Sequence, residues 1–92
     1  MIGSIKHKGL KRLFEQGDVS GLNPQHAEKI TLILTALNAA ESIEAMNIPS
    51  FRLHPLSGNL KGFWSVTVRA NWRIVSKFDD GEAFGVDLVD YH

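Results

Sequence analysis

Five residues of this chain stand out for the chemistry their side chains offer: His54, Arg73, Asp90, Tyr91 and His92. Taken alone, the closing Asp90-Tyr91-His92 is a polar tail of the kind that commonly frays. His54 and Arg73 change that reading. The strand expected to carry Arg73 pairs with the last strand, and the loop of His54 precedes the first. Imidazole, phenol, carboxylate and guanidinium then share one concave face. Such a set can cleave a phosphodiester without a metal. It offers a base for the ribose 2′-OH, an acid for the leaving 5′-oxygen and a cation for the strained phosphate.

Several other chemistries fall away. The chain has no Cys, which excludes disulfides, thiolate nucleophiles and cysteine-based zinc sites. The spacing of His7, His26, His54 and His92 matches no compact ligand pattern, so no metal site is expected. Gly58-Asn59-Leu60-Lys61-Gly62 joins two strand candidates and opens no helix, unlike a phosphate-binding loop. No Ser sits on a nucleophile elbow.

The 92 residues suit one small α+β domain, and 43% hydrophobic content is enough for a core. The longest apolar stretch, Ile30 to Leu37, spans eight residues with two Thr, far short of a membrane span. The N-terminal residues lack the apolar run of a secretory signal, so a soluble cytoplasmic protein is expected. Ten basic and ten acidic residues cancel, yet they are segregated. Residues 45–78 hold Arg52, Lys61, Arg69, Arg73 and Lys77 without an acid, whereas residues 79–92 hold five acids and no Lys or Arg. This predicts a basic surface if those cations meet in the fold. Ordinary solvated charge is the competing explanation.

The elements that must position these groups are legible from periodicity. Leu10, Leu13 and Phe14 predict a short amphipathic helix over Lys8 to Gln16, closed by Gly17. Asn23-Pro24 is a helix start with a mechanism: Asn23 can cap free N–H groups and Pro24 suits the first helical position. The stripe Ala27, Ile30, Leu34, Leu37 carries that helix to about Ala40 or Met46, and Pro49 forbids anything longer. Beyond Pro49 the period falls to two. Phe51-Arg52-Leu53 is a short strand candidate, and Phe63 to Arg69, Trp72 to Phe78 and Ala83 to Val89 form a three-stranded antiparallel meander. Its core face takes Trp64, Val66, Val68, Trp72, Ile74 and Phe78, with Phe84, Val86 and Leu88 from the last strand. Arg69, Arg73 and Lys77 face away. Asp80-Gly81 is the hairpin turn, and Ile2 to Ile5 can add an edge strand. Arg69 is a candidate partner for Asp79 or Asp80, and His7 and His26 are expected at the surface.

The run Arg52-Leu-His-Pro-Leu-Ser-Gly-Asn-Leu-Lys-Gly-Phe-Trp-Ser-Val-Thr-Val-Arg-Ala-Asn-Trp-Arg-Ile resembles the signature of HigB toxins. They form the host-inhibition branch of the RelE/ParE-like toxin superfamily. The opening Ile-Lys-His-Lys-Gly-Leu and the closing Asp-Tyr-His are similar to the same family, so the likeness spans nearly the whole chain. It implies a RelE-like α+β fold, with two N-terminal helices on a small curved antiparallel sheet in a single domain, residues 1–92. It also implies a toxin of a type II toxin–antitoxin system that enters the ribosomal A site and cuts the mRNA there, with no metal or cofactor. The implied partners are a helix-turn-helix antitoxin of the HigA type, the ribosome and mRNA, and operator DNA indirectly through the antitoxin complex. By position, His54, Asn71, Arg73, Asp90, Tyr91 and His92 stand where such toxins place cleavage and codon contacts. Arg52, Ser57, Lys61 and Arg69 complete the expected RNA-binding set. Ser57 is a departure, because relatives often carry Lys in this Pro-Leu-Lys-Gly loop. Either a phosphate contact is lost, or Lys61 supplies it. A ParE-like inhibitor of DNA gyrase and an RNA-binding blocker of translation are the rival functions. A pure binder has no need of the titratable terminal residues and His54.

Overall fold

The computed structural model describes residues 1–91; His92 lies outside them. Helix α1 spans Lys8–Gln16, as the periodicity predicts, and each end has a local cause. The His7 imidazole caps it, Nδ1 accepting the Leu10 N–H at 3.2 Å, and Gly17 leaves it in the left-handed region at φ 70°. His7 is therefore a half-buried cap and not a free surface group. Helix α2 spans Pro24–Ala39, with Asn23 Oδ1 accepting the Gln25 N–H at 2.9 Å. It ends at the shorter of the two expected limits. Ala40 turns extended, and a separate 3₁₀ turn, Ile43–Met46, delivers Met46 to the core.

The sheet is antiparallel with four strands in the order β1 (His54–Pro55), β2 (Trp64–Arg69), β3 (Trp72–Asp79), β4 (Glu82–Asp90). The expected meander is present as β2–β3–β4, and β1 is an added edge strand. Pro55 is tolerated there because an edge leaves one side of the strand without ladder partners. The Phe51-Arg52-Leu53 expectation was misplaced. Phe51 closes a 3₁₀ turn, Pro49–Phe51, with its ring buried, and Arg52 has φ 51°, which no strand accommodates. Pairing begins only at His54. Asp80 and Gly81 both have positive φ, as a two-residue hairpin turn of the predicted kind requires. The expected N-terminal edge strand is reduced to two parallel bridges onto β4, Ile2 to Ala83 and Ile5 to Val86.

Helix α2 packs on β2 and β4, and α1 packs on α2. Between them lies one core that includes Leu10, Ile30, Ile33, Leu37, Phe51, Val66, Ile74 and Val86. One assignment of side chains to a face and two expectations of burial are corrected. In β4, Gly85 at φ 62° makes a bulge that sets Gly85 and Val86 against the single Ser76. The alternation shifts by one, so Ala83, not Phe84, occupies the core beside Val86 and Leu88. At the open end of the sheet Trp72 is 37% exposed, outside the core, while His26 is buried with its ring 6.2 Å from the indole. Trp64 is half-buried.

Gly9 shows how tightly α1 is set against the segment that leads into α2. A Cβ there would lie 2.7 Å from the Gly21 carbonyl oxygen, a backbone atom that cannot swing aside. Gly9→Ala is therefore expected to cost about 1–3 kcal/mol despite the better helix propensity of Ala. In a thermal melt this appears as a drop on the order of 4–8 °C per kcal/mol.

Candidate active site

Sheet register places the site. His54 pairs with Ser65 across β1–β2, Thr67 pairs with Arg73 across β2–β3, and Arg73 pairs with Val89 across β3–β4. Residues directly opposite one another point to the same face, so Ser65, Thr67, Arg73 and His54 project together away from the helices. There they line a cavity of about 360 Å³ with Arg52 and Tyr91. Depressions of similar volume flank α1, but one is lined by Leu13, Phe14, Val19 and Thr31 among others, and the other by Lys8, Lys11, Arg12 and Glu15. Neither holds an imidazole or a phenol. Chemistry, not size, singles out the sheet-face cavity.

Its lining carries two guanidinium groups, one imidazole and no carboxylate, so it favours an anion. Arg73 is half-buried and its Nη1 donates to the Ala70 carbonyl at 2.8 Å. One donor of the fork is thereby anchored while the others remain for an incoming oxyanion. Ala70 adopts φ 52° in the β2–β3 turn, and the next residue, Asn71, accepts the Tyr91 N–H on its carbonyl at 2.8 Å. One two-residue turn thus holds both the arginine side chain and the backbone of Tyr91, a residue 47% exposed. Asp90 stands opposite Trp72 at the end of β4. Arg52 enters from its left-handed position after the 3₁₀ turn.

Of the residues expected from sequence, Arg52, His54, Arg73 and Tyr91 come together in this lining, and Asn71 and Asp90 adjoin it through the turn and the register. Ser57 and Lys61 bracket the exposed 3₁₀ turn Gly58–Leu60 outside the lining. Arg69 is also outside it, at the β2–β3 turn. Its candidate pairing with Asp79 or Asp80 is ruled out, because the seven residue steps of β3 from Trp72 to Asp79 put about 23 Å between the two ends. His92 lies beyond the described residues. Sequence reasoning missed Ser65 and Thr67. Their alternation on β2 placed them on the correct face, but nothing marked them off from ordinary polar residues.

Comparison with known proteins decides the family. A family model described as the RelE-like toxin of type II toxin–antitoxin system HigB matches residues 3–92. This chain belongs to the HigB-like toxin family. It is 48% identical over 92 residues to a protein named Endoribonuclease HigB from Proteus vulgaris, covering the full length of both. Two solved structures of YafQ from E. coli, one of them a mutant, share the fold. The mutant is 18% identical with a TM-score of 0.59, and the other 16% identical with a TM-score of 0.55. Each alignment covers 95% of this chain and 91% of the other. This HigB-like toxin therefore has the expected RelE-like α+β architecture, and as a type II toxin it has an antitoxin partner. Among the described residues no helix is long and apolar enough to cross a membrane.

Proposed function

We propose that this HigB-like toxin is an endoribonuclease that cuts translated mRNA in the ribosomal A site without a metal or cofactor, until a helix-turn-helix antitoxin of the HigA type binds it. The observation that carries this reading is the convergence of His54, Arg52, Arg73 and Tyr91 on one carboxylate-free cavity. The 48% identical relative named as an endoribonuclease supports it.

In the proposed reaction the ribose 2′-oxygen attacks the adjacent phosphorus and the P–O5′ bond breaks, leaving a 2′,3′-cyclic phosphate and a 5′-hydroxyl. One imidazole, of His54 or His92, takes the 2′-OH proton, and the other protonates the departing 5′-oxygen. Arg73 receives the charge that builds on the phosphate oxygens, its fork aimed in advance by Ala70. Tyr91 orients the scissile nucleotide, and Asp90 holds a ring or ribose. Asn71 contacts the codon. Ser57, Lys61 and Arg69, outside the lining, meet flanking nucleotides.

A shallow open cavity supplies little of the positioning that in-line attack needs, which is worth about 7–11 kcal/mol of barrier. The ribosome supplies it here, and that places the action in the cytoplasm. Primer extension on a translated message after induction tests the reading. New 5′ ends in register with the reading frame are expected, and naked RNA cut as fast as translated RNA by the purified protein overturns it. Arrest of growth with intact messages and inhibited gyrase would point instead to the ParE-like rival.

Lys61 offers a smaller test. Because it lies outside the lining, Lys61→Ala should raise KM and leave kcat nearly unchanged. The salt dependence of RNA affinity should flatten by about 0.7 in log–log slope, the share of one phosphate contact on a single strand. Adding Ser57→Lys should restore much of that slope, because a charge contact tolerates relocation within one loop.

A further inference from the structure

Ser65 is the unusual group in the cavity lining. It is 3% exposed, the second residue of β2, with His54 opposite it on one side and Val75 on the other. Among the described residues its hydroxyl makes no hydrogen bond, yet no fully enclosed side-chain oxygen is left without a partner. Both hold because Oγ opens onto the cavity that Ser65 lines. Such a hydroxyl adds no side-chain hydrogen bond to the fold among the described residues. A strand interior of this type is ordinarily filled by Val, Thr or an aromatic residue. A polar group kept in place without a structural partner points to a ligand.

The surroundings say which ligand. Ser65 and His54 are cross-strand neighbours, whose Cβ atoms stand about 4.5–5.5 Å apart, so both side chains reach the same bound group. Arg52 and Arg73 add two guanidinium charges to the lining, and no carboxylate accompanies them. The occupant is an oxyanion, and toward an oxyanion a serine hydroxyl is a donor. We propose that Ser65 is a substrate-contacting residue whose hydroxyl donates to a non-bridging oxygen of the scissile phosphodiester, beside His54 and on the side of the phosphate away from Arg73. The proposal rests on the endoribonuclease reading and adds a contact to it.

The test exploits an opposition between stability and activity. Ser65→Ala and Ser65→Cys, made in the full chain, are assayed for cleavage of ribosome-bound message and for thermal midpoint, with Arg73→Ala in parallel. A hydroxyl aimed at the phosphate is worth about 10–100-fold in rate, as hydrogen bonds to charged groups are. Both Ser65 variants should lose that factor, since a thiol is a weak donor. Their midpoints should stay close to wild type, because the change removes a hydroxyl that has no hydrogen-bond partner among the described residues. A loss of less than about threefold, well below the worth of such a bond, overturns the proposal. So does a lowered midpoint, which would mark Ser65 as structural. If Arg73→Ala also cuts at the wild-type rate, the endoribonuclease site itself is misassigned. If Arg73→Ala is inactive while Ser65→Ala is not, only the serine contact fails.

Discussion

His54→Gln and His92→Gln should each lower cleavage of ribosome-bound mRNA by about 10²–10⁴-fold, the usual worth of a positioned acid or base. Gln keeps much of the bulk and hydrogen-bonding capacity of the imidazole but cannot carry a proton in transit. His54 is exposed on the edge strand β1, so its replacement should leave the thermal midpoint within a degree or two, as surface substitutions generally do. The pH profile of kcat/KM separates the two roles. A general base must be deprotonated, so activity climbs with pH on the acidic limb; the variant that loses that limb identifies the base. Loss of the alkaline limb identifies the acid. The double variant should be little worse than the poorer single one, because groups acting in one transition state are not additive. Near-normal cleavage by either well-folded single variant would remove that histidine from the mechanism.

Arg73 gives the second large effect. Arg73→Ala should lower kcat by about 10²–10³-fold, as loss of a donor to a developing oxyanion does. Arg73→Lys should remain close to Ala in activity. The lysine restores the charge but has a single ammonium point where the arginine presents a fork. That fork is committed at one tip to the Ala70 carbonyl, 2.8 Å from Nη1, which leaves the remaining donors directed. A lysine that made the same bond would keep two N–H groups but no rigid fork to aim them. Single-turnover rates on ribosome-bound message measure this. A Lys variant within about tenfold of wild type would mean that charge alone suffices, as it does for contacts that position nucleic acid without reading its geometry.

The arginine also shows what a sequence can and cannot reveal. That residue 73 faces away from the helices follows from strand alternation, and Arg73 indeed shares a face with Thr67 and Ser65. That its side chain is tethered does not. The tether depends on Ala70 adopting a left-handed conformation usually left to Gly or Asn, which nothing in the letters Ala-Asn announces.

What the sequence by itself determined is what short-range chemistry controls. Helix α1 covers its apolar periodic run and ends where Gly17 says it should, Asn23-Pro24 opens α2, and Asp80-Gly81 makes the turn between β3 and β4. Each depends on groups within a few residues of one another, so the local letters are sufficient. Only tertiary structure decided which residue of β4 enters the core. The bulge at Gly85 exchanges Phe84 for Ala83, and register is a property of two strands paired across the fold. Tertiary packing likewise twisted Arg52 into the left-handed region as Phe51 was buried, displacing the expected strand and bringing its guanidinium to the cavity. Ser65 is the clearest case. Its identity and its face were legible, but its burial, with no side-chain partner among the described residues, arises only when β1 and β3 close in on either side, because burial is the sum of contacts from segments remote in the chain.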